Sequence, residues 1–494
     1  MSAHDGRMPM LDDTANYRAL AARDARFDGL FWTAVKTTGI YCRPVCPART
    51  PKFANVLFFA HPAAAENAGF RPCLRCRPEL SPRADLRLSP MDAPTQLAAS
   101  AARLLEADPS RSVRVIAGKI GISERHLNRI FISAFGVTPS IYARTLKLLL
   151  AKQLLRDTAL PITQVAYAAG FSSVRRFNQV LLVRYGMAPQ RIRQTGKTAS
   201  GSALEVKLGY RGTLDWRGLL DFLAARAAPG VEVIDEERYA RTLTLDAHAG
   251  WFTLKNQPGS RVLCMQASAS LEGRLPALIS CVRQAFDLNA DTEQIERALS
   301  GLQGLSHGLR LPGTVAPFDT AVRAILGQQI SVRAATTLAS RLSALLGKNI
   351  ASDPRIPAGL TRYAPSAESL ANATVAELAG LGIIQTRARA VVELARATLD
   401  GRVDFSAQQG ALIDALCALP GIGRWTANYL AMRALSAPDA CLADDLLIKR
   451  AFEKSAGQTL KAREVQRHLQ TFSPWRSYAA LQIWRGAYLS VGAA

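Results

Sequence analysis

"TTGIYCRPVCPARTPKF" (residues 37–53) sets Cys42 and Cys46 four positions apart among prolines and arginines, and "FRPCLRCRPEL" (70–80) adds Cys73 and Cys76. Two short-spaced thiol pairs can close a tetrahedral sulfur shell around one zinc ion, so the spacing predicts a small zinc-stabilised module. A segment of about 90 residues builds only part of a core, and metal ligation makes up the difference. Taken alone, four such cysteines read as a structural site. The other four, Cys264, Cys281, Cys417 and Cys441, are isolated and read as core filler.

Outward from this segment, 494 residues exceed one hydrophobic core and predict three or four domains. Hydrophobic residues make up 49% and charged residues 20%, a composition that buries cores instead of remaining disordered. The formal charge of +22 is uneven, because residues 1–200 hold 29 basic against 13 acidic side chains. Such an excess points to a polyanion. Nucleic acid is favoured over a membrane, since no apolar run of 18 residues and no lipidation signal occur. "MSAHDGRMPMLDDTANY" (1–17) lacks a basic start followed by an apolar block, so the expected location is cytoplasmic, reducing and nucleoid-associated.

Proline and serine punctuate residues 77–96, and "QTGKTASGSA" (194–203) has no hydrophobic period, so both are expected linkers. Between them, "GISERHLNRIFISAFGVTPSIYAR" (121–144) is echoed by "GFSSVRRFNQVLLVRYGMAPQRIR" (170–193). Asn128 and Asn178, Gly136 and Gly186, and Pro139 and Pro189 are each 50 residues apart, which predicts two similar helical units. Beyond the second linker, "LEVKLGY", "VEVIDEERYARTLTL" and "RVLCMQAS" alternate like strands of an antiparallel sheet, with a helix near "DWRGLLDFLAARA". From about residue 276 the pattern is helical.

"FWTAVKTTGIYCRPVCPAR", "NVLFFAHPAAAENAGFRPCLRCRPE" and the helical repeat resemble the N-terminal half of the Ada adaptive-response regulators throughout residues 16–193. The resemblance implies that Cys42 accepts a methyl group from a DNA methylphosphotriester while Cys46, Cys73 and Cys76 remain zinc ligands. Arg43, Arg49, Lys52, Arg71, Arg75 and Arg77 surround the thiols and are expected to hold phosphate. The repeat is similar to AraC-type tandem helix-turn-helix units, with recognition helices expected over 123–135 and 172–185. Arg125, His126, Asn128 and Arg129 in the first, and Arg175, Arg176, Asn178 and Gln179 in the second, are of types that reach base edges and phosphates. Double-stranded DNA and RNA polymerase are the partners such a regulator implies.

"LPGIGRWTANYLAMRA" (419–434) pairs Gly421 and Gly423 in a tight hairpin before a helix N-terminus, a cradle for a DNA phosphate. With "APFDTAVRAILGQQISVRAA", "DDLLIK" and "PWRSYAALQIWR", it resembles the AlkA-type 3-methyladenine glycosylases of the helix-hairpin-helix-GPD superfamily from about residue 204 to 490. That match implies Asp445 as the essential carboxylate, with Asp444 expected to cap the helix starting near Leu446. It further implies a base pocket of Trp425, Tyr429 and Trp484, with Gln328 and Gln329 at the duplex. Gln329 stands where such an enzyme inserts a leucine wedge. Trp425 occupies the lysine position of lyase-competent relatives, so no strand cleavage is expected, nor an iron-sulfur cluster. Pro-Cys-His-Arg, the alkyltransferase motif, is absent, so direct repair of O6-methylguanine is not expected.

The expected fold class is multidomain and mostly α with α+β parts. Its segments are a four-cysteine zinc domain (1–88), a tandem helix-turn-helix domain (94–195), a small antiparallel sheet domain (204–300) and an all-α helix-hairpin-helix domain (301–494). Two rival readings stay open on residues alone: a regulator whose glycosylase fold is an inactive DNA clamp, and a purely structural zinc site.

Overall fold

The computed structural model describes residues 12–82, 93–195, 204–302, 304–351 and 353–491. Much of the two expected linkers (83–92 and 196–203) lies outside the described residues, as does 1–11. The chain divides into two compact units, one of residues 1–212, 257–280 and 288–290, the other of 213–256, 281–287 and 291–494.

In the first unit, β1 (Trp32–Val35), β2 (Ile40–Cys42), β3 (Val56–Phe59) and β4 (Arg71–Pro72) form a sheet in the order β3-β1-β2-β4. β1 is antiparallel to β2 and β3, whereas β2 and β4 run parallel with Tyr41 beside Pro72. That register carries Cys42 and Cys73 off the ends of neighbouring strands together. The clusters around this sheet are small, with Ala19, Phe31, Val56 and Phe58 on one side and Trp32, Ala34, Tyr41 and Ala65 on the other.

The 50-residue repeat appears as repeated punctuation. Ser123 and Ser173 cap the helices Glu124–Phe135 and Val174–Tyr185 through their side chains. Gly136 and Gly186 end them at φ +71° and +65°, a left-handed stop that glycine adopts without a Cβ clash. Pro139 and Pro189 then open the next helices, Pro139–Asp157 and Pro189–Gln194.

The expected linker at 77–96 is narrower than its composition predicts, because Arg77 through Pro82 are packed. Arg77 donates to Asp157 at 2.8 and 2.7 Å and to Glu79 at 2.9 Å. Lys152, fully buried, reaches Glu79 at 2.5 Å and the Cys73 carbonyl at 2.9 Å. Buried charge persists only when paired, so these bonds tie the thiol segment to the long helix Pro139–Asp157. β5 (Leu204–Gly209) pairs antiparallel with a strand at Val262–Ala267 in the same unit.

The first unit's strand Val262–Ala267 is β9; in the second unit β6 (Glu232–Ile234), β7 (Arg238–Leu245) and all but the last residue of β8 (His248–Gln257) run as an antiparallel meander. β8 is not among the expected strands: its central run Gly250–Leu254 is buried without alternation and carries no period-2 signal. The helices Pro317–Leu326, Val332–Leu346, Gln385–Leu399, Gln409–Cys417 and Arg424–Ala434 share one core. Leu419 and Ile422, both buried, anchor the turn between the last two, which makes it a helix-hairpin-helix. No described helix is long and apolar enough to cross a membrane.

Candidate functional site

The four cysteine sulfurs lie within 4.8 Å of one another. A zinc ion with sulfurs at about 2.3 Å places them about 3.8 Å apart, so the donor set fits a four-thiolate zinc centre. Without a cation such crowding pushes the Cys42 thiol up, chiefly through Cys46, because neighbouring sulfurs resist ionising together. A divalent ion removes that penalty.

The sulfurs are not equivalent. The Arg43 amide donates to Cys76 Sγ and the Arg75 amide to Cys73 Sγ, each at 3.3 Å. Among the described residues no amide donates to Cys42 Sγ. Cys42 is also partly exposed where the other three are buried.

The cations around the thiols divide into two groups. Arg43, expected at phosphate, donates to the Asp28 carboxylate and the Cys76 carbonyl, and Arg77 is committed to Asp157 and Glu79. Arg49, Lys52 and Arg75 are exposed and Arg71 is half-buried.

The two recognition helices bury Leu127, Ile130, Phe131 and Phe135, and Phe177, Leu181 and Tyr185. Their opposite faces carry the expected residues. Arg125, Arg129, Arg175, Arg176, Asn178 and Gln179 are exposed, while His126 and Asn128 are half-buried. His126 contacts Arg129 at 3.0 Å, and Asn128 donates to the Glu124 carbonyl.

In the second unit, the helix Leu446–Ala456 begins one residue after Asp445, and this fixes the carboxylate's position. Asp445 is its cap, accepting from Leu447 N at 3.0 Å and Ile448 N at 3.1 Å; the expected cap, Asp444, lies one position too early. Trp484 Nε1 donates to the same oxygen, and Trp425 Nε1 to the other, each at 3.1 Å. Four N–H donors hold a carboxylate only 9% exposed, in an orientation fixed by backbone and indoles alike.

Asp445 lines a cavity of about 280 Å³ with Trp425, Tyr429 and Trp484. Trp425 stacks on Tyr429 with centroids 5.3 Å apart, and Tyr429 lies 6.4 Å from Trp484. The structure brings together all four residues expected here. It adds three that sequence reasoning missed, Arg226, Arg323 and Arg433. They come from the turn after the helix Trp216–Ala224 and from the helices Pro317–Leu326 and Arg424–Ala434, and no local pattern joins them.

Gln329 is exposed at φ +55°, left-handed, in the turn between the helices Pro317–Leu326 and Val332–Leu346. Gln328 instead donates to the Gly421 carbonyl at 2.9 Å and Thr426 Oγ1 at 3.3 Å, bracing this turn on the hairpin. Gly421 needs its φ of +84°. A Cβ at Gly423 would meet nothing within 4 Å.

A four-thiolate module, a tandem helix-turn-helix and a helix-hairpin-helix with an aromatic-walled carboxylate define a regulator-like DNA-binding half joined to a glycosylase-type half. Family profiles match in that order: "Metal binding domain of Ada" over 15–79, "Helix-turn-helix domain" over 116–195, "AlkA N-terminal domain" over 205–316 and "HhH-GPD superfamily base excision DNA repair protein" over 322–474. A probable bifunctional transcriptional activator/DNA repair enzyme AlkA from Mycobacterium tuberculosis is 36% identical over 490 residues, 95% of each chain. The chain belongs to this family of bifunctional transcriptional activator/DNA repair enzymes. DNA-3-methyladenine glycosylase 2 of Escherichia coli is 36% identical, covering 56% of this chain and 95% of its own. Bifunctional transcriptional activator/DNA repair enzyme Ada of the same organism is 34% identical over 38% of this chain and 51% of its own.

Proposed function

We propose that the second unit excises alkylated bases from double-stranded DNA and that the first reads methylphosphotriesters and activates transcription. The observation that carries the first half is the Asp445 carboxylate, pinned by two indoles at the wall of a cavity sized for one base. A damaged nucleotide flips into this cavity while Gln329 fills its gap, and the hairpin at Gly421 and Gly423 holds a backbone phosphate. The bond from C1′ to the base nitrogen breaks with its electron pair leaving on the base. Asp445 stabilises the cationic sugar and orients the water that adds to it. Alkylation at a ring nitrogen makes the base a cationic, easily released leaving group.

Cys42, Cys46, Cys73 and Cys76 would hold a zinc ion, which would keep the sulfurs as thiolates at neutral pH. Cys42 Sγ attacks the methyl carbon, the carbon–oxygen bond breaks, and the phosphodiester leaves as an anion. The sulfur becomes a neutral thioether, removing one negative charge from a surface that carries Arg49, Lys52 and Arg75. DNA affinity rises on the scale of one ion pair, about 1–3 kcal/mol. The recognition helices then hold the promoter for RNA polymerase. A cytoplasmic, nucleoid-associated location fits both activities.

The test uses purified chain and methylated duplex, with free base quantified by chromatography and Cys42 examined by peptide mass spectrometry. Released base that disappears in Asp445→Asn, with one methyl group gained at Cys42, supports the reading. No released base makes the second unit an inactive clamp, and an unmodified Cys42 makes the zinc centre purely structural.

A further inference from the structure

The aromatic walls alone describe an electron-rich cleft suited to a cationic base. The cavity also carries positive charge, and its bookkeeping is uneven. Arg323 shares Glu232 and Asp319 with Arg241, two cations on two carboxylates. Arg226 and Arg433 have no carboxylate partner among the described residues. Arg226 lies 3.7 Å above the Phe222 ring and donates to the Phe222 carbonyl. Arg433 approaches the same ring at 5.3 Å and donates to the Gly313 carbonyl at 3.4 Å.

Both guanidinium groups converge on Tyr429. Arg433 donates to its phenol oxygen at 2.6 Å. Burial opposes ionisation of Tyr429, but Arg433 and Arg226 outweigh it and hold the phenol below the ordinary tyrosine range. An oxygen that accepts from a guanidinium keeps its own proton for donation, and no described residue takes that proton.

We infer that the Tyr429 hydroxyl, backed by Arg433 and Arg226, donates a hydrogen bond into the cavity and selects for uncharged leaving bases that present a ring nitrogen or carbonyl oxygen as acceptor. The inference rests on the glycosylase reading and assigns Tyr429 as a specificity-determining residue of that site. A neutral base takes the electron pair of the breaking bond as negative charge on its nitrogen or oxygen. The Tyr429 O–H meets that charge, and the proton the base finally gains is balanced by the one lost from the attacking water. A ring-alkylated cationic base develops no such charge, and the two guanidinium groups oppose its entry. The site therefore divides its preference: π faces favour cationic bases, and the Tyr429 donor favours neutral ones.

The test is single-turnover release from duplexes carrying either 7-methylguanine, cationic as the nucleotide, or hypoxanthine, neutral with carbonyl and ring-nitrogen acceptors. Tyr429→Phe keeps the ring and removes the donor, so the ratio of neutral to cationic release should fall at least about tenfold. Arg226→Gln, at a half-buried position, should lower the same ratio about threefold, so the inference stays testable if Tyr429→Phe folds poorly. Release of 7-methylguanine with a ratio unchanged in both variants overturns the inference alone. Release of neither base by the wild-type chain overturns the glycosylase reading and the inference with it.

Discussion

Asp445→Asn separates the helix cap that the structure gives this carboxylate from the catalytic task proposed for it. Asparagine caps a helix about as well as aspartate, and its carbonyl can take the place of Oδ1, keeping the Leu447 and Ile448 amides and the Trp484 indole satisfied. Its NH2 then meets the Trp425 N–H donor to donor. Trp425 is half-buried and lines the cavity, so it can turn that N–H to water. The cost to the fold is about 1–2 kcal/mol, a drop of about 2–8 °C in melting temperature. The lost charge matters more: a carboxylate about 4 Å from a cationic sugar at an effective dielectric of about 20 contributes about 4 kcal/mol, about a thousandfold in rate. Single-turnover excision of 3-methyladenine and a thermal melt measure the two effects separately. A variant within tenfold of the wild-type rate, or one whose lost rate is matched by a lost fold, refutes the assignment.

Burial pushes Glu66 up to about 7, against hydrogen bonds from Tyr41, Thr145 and Tyr185 at 3.0–3.1 Å. Its folded value thus lies above the ordinary 4.5, so its contribution is complete below about pH 4.5 and lost as pH rises through 7. Thermal melts should show the first unit losing about 3 kcal/mol over that window, and Glu66→Gln should flatten the dependence. Replacing Arg175 and Arg176 together by alanine should weaken promoter binding and reduce the slope of log K against log salt by about 2, measured by anisotropy titration. Gln329→Gly accepts the left-handed backbone but removes the wedge. Base release from a fully paired duplex should fall about tenfold, and release opposite a mismatch should fall less.

Legibility followed locality. The thiol pairs, the caps that recur 50 residues apart and the Leu-Pro-Gly-Ile-Gly turn are each short local patterns, and these, with the family resemblance they carry, announced the elements they build. Asp445 was legible as a residue of the aromatic-walled cavity but not as the cap, because two adjacent aspartates differ only in where the helix starts. Arg43 and Arg77 read as phosphate ligands because charge is visible in a sequence and its partner is not; Asp28 and Asp157 are 15 and 80 residues away. Arg226, Arg323 and Arg433 converge from a turn and two helices, and a lone arginine carries no sign that it will line a cavity. β8 was lost for the opposite reason, since its buried central run hides the alternation that marks a half-exposed strand.

The most direct measurement incubates the full chain with DNA carrying radiolabelled methyl groups and counts label released as free base and label retained on protein. Label should appear in both fractions, with the protein-bound share lost in Cys42→Ala and the free-base share lost in Asp445→Asn. Label in only one fraction, or label on protein that survives Cys42→Ala, contradicts the claim that one chain both senses and repairs alkylation.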